Sequence, residues 1–135
     1  MTLLKTVKRE EAEGPMAEVF GQFQQGAGAV PRTLDLLSAS PGLFETYTLT
    51  FHYWYTHPSL SRVLMSCIRY GVAQQQGMAA CVDFNGTLLR RAGMEEAELG
   101  VLDKQPETAP LEPREQQLLA FVLKAVGEPD QVTPE

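Results

Sequence analysis

The sequence has few cysteines, few histidines and no long apolar run, and each shortage excludes a class of protein. Cys67 and Cys81 are too few to build a secreted scaffold held together by disulfides. The histidines His52 and His57 lie five residues apart, and no cysteine or glutamate stands at a metal-ligand spacing from them. We therefore expect no metal site and no cofactor. No apolar run approaches the roughly 20 residues that span a bilayer, so we also expect no membrane association.

Basic residues are scarce as well. The chain carries 11 Lys and Arg against 17 Asp and Glu, which gives a formal net charge of -6. Such a charge repels a phosphate backbone, and the basic residues form no stripe, so we expect no nucleic-acid partner. Charged residues follow Met1 within a few positions, at 8–11, and leave no room for the apolar core of a signal peptide. We expect a cytoplasmic protein.

What the sequence does contain is helical periodicity. Apolar residues recur three and four positions apart along most of its length, and no segment alternates in the manner of a half-buried strand. A chain of 135 residues with 44% hydrophobic and 21% charged residues is long enough to bury one core. We predict a single all-α domain over residues 1–135, built as a helical bundle.

The periodicity predicts five main helical segments. They are a short helix near 16–23, a longer one from Pro41 towards Pro58, a pair at 60–76 and 78–92 separated by Gly77, and a last one at 115–126. The second segment carries most of the aromatic residues, between Phe44 and Tyr55. Aromatic stripes at helical spacing are usually core, so we rank core packing first for this face and an oligomer interface or ligand pocket second.

The most informative segment begins at Gly77. It reads GMAACVDFN over residues 77–85 and continues into RRAGM at 90–94 and EEAEL at 95–99; SPGL at 40–43 and LSR at 60–62 precede it. Together these motifs resemble the alkyl hydroperoxidase D-like and carboxymuconolactone decarboxylase superfamily over most of residues 30–126. The resemblance implies an all-α bundle of that type, commonly a homo-oligomer, whose core is an antiparallel helix pair at about 60–76 and 78–92.

The catalytic positions implied by the resemblance are mostly substituted in this chain. Redox members of the superfamily carry a Cys-x-x-Cys at a helix start, a histidine four residues after the second cysteine, and a glutamate in the preceding helix. The first cysteine falls on Met78, the histidine on Asn85 and the glutamate on Ser66, whereas the second cysteine is present as Cys81. Methionine cannot form a disulfide, an amide cannot relay a proton near neutral pH, and a serine hydroxyl has no useful acidity.

Two readings of each remaining thiol stay open at this point. Cys81 follows a helix start, where reactive thiols are found, and the alternative for it is inert packing. Cys67 lies beside Ser66, and if the two core helices face each other it is conceivable as a resolving thiol for Cys81. A cysteine on an apolar stripe more often packs as a small hydrophobe, and we favour that role for Cys67.

Three functions follow as expectations. The first is a residual, peroxidase-like thiol oxidoreductase that uses Cys81 alone on a peroxide or another small molecule. The alternative is a non-catalytic oligomeric or ligand-binding member of the same fold, which accounts for the joint loss of cysteine, histidine and glutamate. The third is a decarboxylase-type lyase, which requires acid-base residues to converge around a pocket.

Overall fold

The computed structural model describes residues 3–133, and in that part of the chain it contains seven α-helices, short 3-10 turns and no strand. The helices are α1 (Gly14–Ala27), α2 (Arg32–Leu37), α3 (Pro41–Tyr55), α4 (Arg62–Gln75), α5 (Ala79–Arg91), α6 (Glu96–Val101) and α7 (Pro113–Gly127). The predicted all-α class is confirmed. The backbone forms two compact units, one up to Thr56 and the other from His57. The single-domain organisation stays a prediction.

The first unit is built on aromatic contacts between α1 and α3. The rings of Phe20 and Phe44 meet edge to face with centroids 5.5 Å apart, and those of Phe23 and Phe51 lie 5.1 Å apart. Leu34 of α2 is fully buried in the same cluster. Such aromatic pairs add about 0.5–1.5 kcal/mol each beyond the area they bury.

The expectation that the aromatic face of α3 is mainly core does not hold. Phe44 is the one buried residue of this helix, while Tyr47, Tyr53 and Trp54 are 38–54% exposed. The physical reason is that α3 packs against α1 and α2 along one stripe, whereas it carries apolar residues on more than one face. His52 is exposed as well.

The second unit is organised around a hairpin of α4 and α5. Gly77 adopts a left-handed φ of 67°, and the Met78 N–H donates to the Ala73 carbonyl at 2.9 Å, which ends α4 and reverses the chain. Tyr70 of α4 packs against Gly86 of α5, where a Cβ would lie 3.1 Å from its ring. The two helices are therefore antiparallel, with ends one or two residues inside the limits expected at 60–76 and 78–92.

Helix α7 completes this unit by packing on the other side of α4. A Cβ on Gly71 would lie 2.7 Å from a methyl carbon of Leu123, so the glycine permits the close approach. At the far end of the contact the Gln75 amide donates to the Leu123 carbonyl at 3.2 Å. None of the helices within residues 3–133 is both long enough and apolar enough to cross a bilayer.

Candidate functional site

Cys81 lies in the first turn of α5, and its side chain is half-buried. The sequence brings it there because Gly77 ends α4 and the next helix begins at Ala79, two residues before the cysteine. Residues 76–80 before it are all exposed, so water reaches this turn. The N-terminal end of a helix favours negative charge by about 0.3–1 kcal/mol.

Asn85 lies one turn after Cys81 on the same face of α5, where the resemblance aligns a histidine. It is only 5% exposed, and its amide N–H donates to the Cys81 backbone carbonyl at 2.8 Å rather than to the sulfur. Its carbonyl oxygen is buried and has no hydrogen-bond partner. A buried acceptor left unpaired costs on the order of 1–3 kcal/mol, so a new donor that reaches this oxygen would be stabilising.

The other two aligned positions lie in contrasting environments. Met78 occupies the N-cap position of α5 with its side chain 51% exposed, and it offers no capping oxygen to the helix. Ser66 is buried in α4 at 4% exposure. Neither side chain supplies an acid, a base or a second thiol to Cys81.

Cys67 is a core residue of the second unit. Its side chain is fully buried, and its thiol lies 4.0 Å from the Met94 sulfur. Burial, with a smaller contribution from the negative charge of Glu115, raises the pKa of the Cys67 thiol to about 12. A thiol with that pKa is almost wholly protonated near neutral pH, and the protonated form is a poor nucleophile.

The hairpin geometry separates the two cysteines, which are both free thiols. Cys67 lies about 12 Å along α4 from the end of that helix at the turn, and Cys81 about 3 Å along α5 from its start, at 1.5 Å per residue. Adjacent helix axes add roughly 8–10 Å of lateral distance, whereas a disulfide requires Cα atoms within about 7 Å. This geometry disfavours Cys67 as the direct resolving thiol of Cys81.

Two contacts near Cys67 were not identified from the sequence, although Gly93 was expected to end its helix. Gly93, with a φ of 96°, ends α5 and brings Met94 back over the core to meet Cys67. Glu115 of α7 accepts the backbone N–H and the hydroxyl of Ser61 at 2.8 and 2.9 Å, 54 residues away in sequence. The glycine after the RRA motif at 90–92 indicates where α5 ends. No local sequence pattern indicates the contact between Glu115 and Ser61.

Within residues 3–133 no group of three or more His, Cys, Asp or Glu side chains is arranged to hold a metal ion. His57 instead accepts the Ser59 backbone N–H on its Nδ1 at 3.2 Å, a local turn contact ahead of α4. The geometry of the site is therefore that of one accessible thiol beside one buried amide.

Comparisons of the chain with models of protein families, with curated proteins and with solved structures give no match.

Proposed function

We propose that this protein is a single-cysteine thiol oxidoreductase of the alkyl hydroperoxidase D-like type, with Cys81 as the reacting group. The observation that carries the proposal is the contrast between its two thiols. Cys81 is half-buried in the exposed first turn of α5, whereas Cys67 is fully buried with a pKa of about 12. Oxidation selects cysteines by thiolate character and by access, and both factors act against Cys67.

The proposed reaction needs an outside thiol. The Cys81 sulfur attacks the terminal oxygen of a hydroperoxide, the O–O bond breaks, and the products are an alcohol and a sulfenic acid on Cys81. A first small thiol condenses with the sulfenic acid, which releases water and leaves a mixed disulfide. A second thiol attacks that disulfide and restores Cys81. The sum is one hydroperoxide and two thiols giving one alcohol, one water and one disulfide.

Asn85 has a supporting role in this proposal. A sulfenic acid on Cys81 carries a hydroxyl one helical turn from the unpaired Asn85 carbonyl oxygen, and that hydroxyl is a donor the oxygen lacks. Asn85 cannot remove a proton as a histidine would, so it holds the oxidised group and does not activate the thiol. We expect Asn85→Ala to shorten the lifetime of the sulfenic acid while leaving its rate of formation nearly unchanged.

The test is intact-mass analysis after stoichiometric hydrogen peroxide in the presence of a sulfenic-acid trap. The parent, Cys81→Ser and Cys67→Ser are compared, the last being the matched control that removes the other thiol. We expect one trap adduct on the parent and on Cys67→Ser, and none on Cys81→Ser. An adduct that persists in Cys81→Ser, or no adduct on any protein, contradicts the proposal.

A second function is favoured by a separate observation, the exposed apolar surface of α3. Leu43, Tyr47, Leu49, Tyr53 and Trp54 are all exposed on this one helix. A high density of exposed apolar side chains is characteristic of a protein interface. On this proposal the protein is a non-catalytic, self-associating member of the same fold. The decarboxylase-type lyase stays a prediction without an observation in its favour.

Sedimentation velocity separates this second proposal from a monomer. We expect the parent to sediment as an oligomer and Tyr53→Glu, which places a charge on the exposed surface of α3, to sediment as a monomer. Glu45→Gln, an exposed position on the same helix, is the control and should leave the oligomer intact. A parent that remains monomeric at high concentration contradicts the proposal.

A further inference from the structure

Met78 is the one methionine with an exposed side chain in the part of the chain that the structure describes. It is 51% exposed, whereas Met16 and Met65 are half-buried and Met94 is 4% exposed. Oxidation of a thioether to a sulfoxide requires that the oxidant reach the sulfur. Exposure therefore favours oxidation at Met78 over the other three positions.

Helix α5 begins at this residue without a side-chain cap. Met78 is its N-cap, and the methionine side chain makes no capping hydrogen bond. Three N–H groups of the first turn donate to the backbone carbonyls at 77 and 78, namely those of Ala79, Cys81 and Val82. The Ala80 N–H has no acceptor within residues 3–133. It is the donor that an oxygen on the N-cap side chain would satisfy.

Oxidation would give Met78 the acceptor that it lacks. A sulfoxide oxygen on Sδ is separated from Cα by the same number of bonds as a carboxylate oxygen of glutamate. In α6 the N-cap residue is a glutamate, Glu95, and its carboxylate accepts the backbone N–H of Glu98 in the first turn. A side chain of this length therefore reaches first-turn N–H groups from the N-cap position. The N-terminal end of a helix also favours the partial negative charge of the sulfoxide oxygen.

We propose that Met78 is a site of oxidation by hydroperoxides, and that its sulfoxide caps α5 by accepting the Ala80 N–H. The Met78 sulfur attacks the terminal oxygen of the hydroperoxide, and the O–O bond breaks. The proton of that oxygen passes to the leaving oxygen, so the thioether is oxidised to a sulfoxide and the hydroperoxide is reduced to an alcohol. The inference involves the same oxidant as the chemistry proposed for Cys81 but does not depend on that chemistry.

The test uses Cys81→Ala, which removes the accessible thiol and brings no hydroxyl to the first turn. The protein is treated with excess hydrogen peroxide, and peptide mapping follows the oxidation of each methionine. We expect the peptide with Met78 to gain one oxygen before those with Met16, Met65 and Met94. Met78→Leu in the same background is the matched control, because it keeps every other methionine.

Amide hydrogen exchange and thermal unfolding then measure the cap. On oxidation the Ala80 N–H should exchange about fivefold more slowly, and the melting temperature should rise by about 2–5 °C. Met78→Leu should show neither change. Met78→Gln, without oxidant, should reproduce the slower exchange of Ala80, because its side-chain oxygen occupies the same position as that of the sulfoxide.

Two results would overturn the inference. Oxidation of Met16 or Met65 as fast as that of Met78 would show that exposure does not select the site. Unchanged exchange of Ala80 after complete oxidation of Met78 would exclude the cap. Neither result bears on the reactivity of Cys81, because that thiol is absent from the protein tested.

Discussion

Replacing Cys67 by alanine should have a pH-dependent effect on stability, because the native protein holds this thiol protonated. Near neutral pH the substitution removes a fully buried sulfur and leaves a small cavity, which we expect to cost about 1–2 kcal/mol. The ordinary pKa of a cysteine thiol is 9.0, and burial raises that of Cys67 to about 12. The unfolded chain therefore loses this proton at a lower pH than the folded chain does.

The sign of the effect follows from the raised pKa. Stability from this group is fully present below pH 9.0 and is lost as the pH rises towards about 12. Each pH unit between the two pKa values lowers the free energy of unfolding by about 1.36 kcal/mol. Between pH 8 and pH 10.5 the parent should therefore lose about 2 kcal/mol of stability that Cys67→Ala does not lose. The parent should therefore be more stable than Cys67→Ala at pH 8, and this difference in free energy of unfolding should vanish or reverse at pH 10.5.

Urea unfolding of both proteins at the two pH values, under reducing conditions, measures this gap. Other groups that titrate in the same range, such as Tyr70 with its raised pKa, are common to both proteins and cancel in the difference. Ser66→Ala is the control, since it changes a neighbouring buried side chain without removing a thiol, and its gap should be constant. If the difference in free energy of unfolding between the parent and Cys67→Ala does not change with pH, the conclusion that the Cys67 thiol is held protonated is wrong.

Two further predictions concern packing in the second unit. Gly71→Ala should destabilise the protein by about 1–3 kcal/mol, because its Cβ would meet Leu123 at 2.7 Å, whereas Gly21→Ala, with open space around it, should stabilise by about 0.5–1 kcal/mol. Thermal unfolding compares them, and equal effects would contradict the close contact. Glu115→Ala should cost about 1–3 kcal/mol by leaving the Ser61 N–H and hydroxyl without their acceptor. A loss below 0.5 kcal/mol in urea unfolding would contradict that role.

The hairpin was predictable because its determinants are local. Gly77 can adopt the left-handed conformation that ends α4, and the apolar spacing on both sides of it defines the two helices. The position of Cys81 in the first turn of α5 follows directly from that break.

What could not be predicted depends on contacts between distant residues. The aromatic face of α3 has core-like periodicity, yet periodicity does not reveal how many neighbours a helix has, and Trp54 remains 40% exposed. The interaction of Glu115 with Ser61 and the unpaired oxygen of Asn85 likewise arise only when helices are packed. Local sequence patterns carry no information about either.

The most direct test of the central claim is the rate at which Cys67→Ser, whose remaining thiol is Cys81, consumes hydrogen peroxide. Stopped-flow measurement of peroxide loss would be compared with free cysteine at the same pH and thiol concentration. We predict faster consumption by the protein, abolished by the additional substitution Cys81→Ser. A rate equal to or below that of free cysteine would contradict the assignment of Cys81 as a reactive thiol.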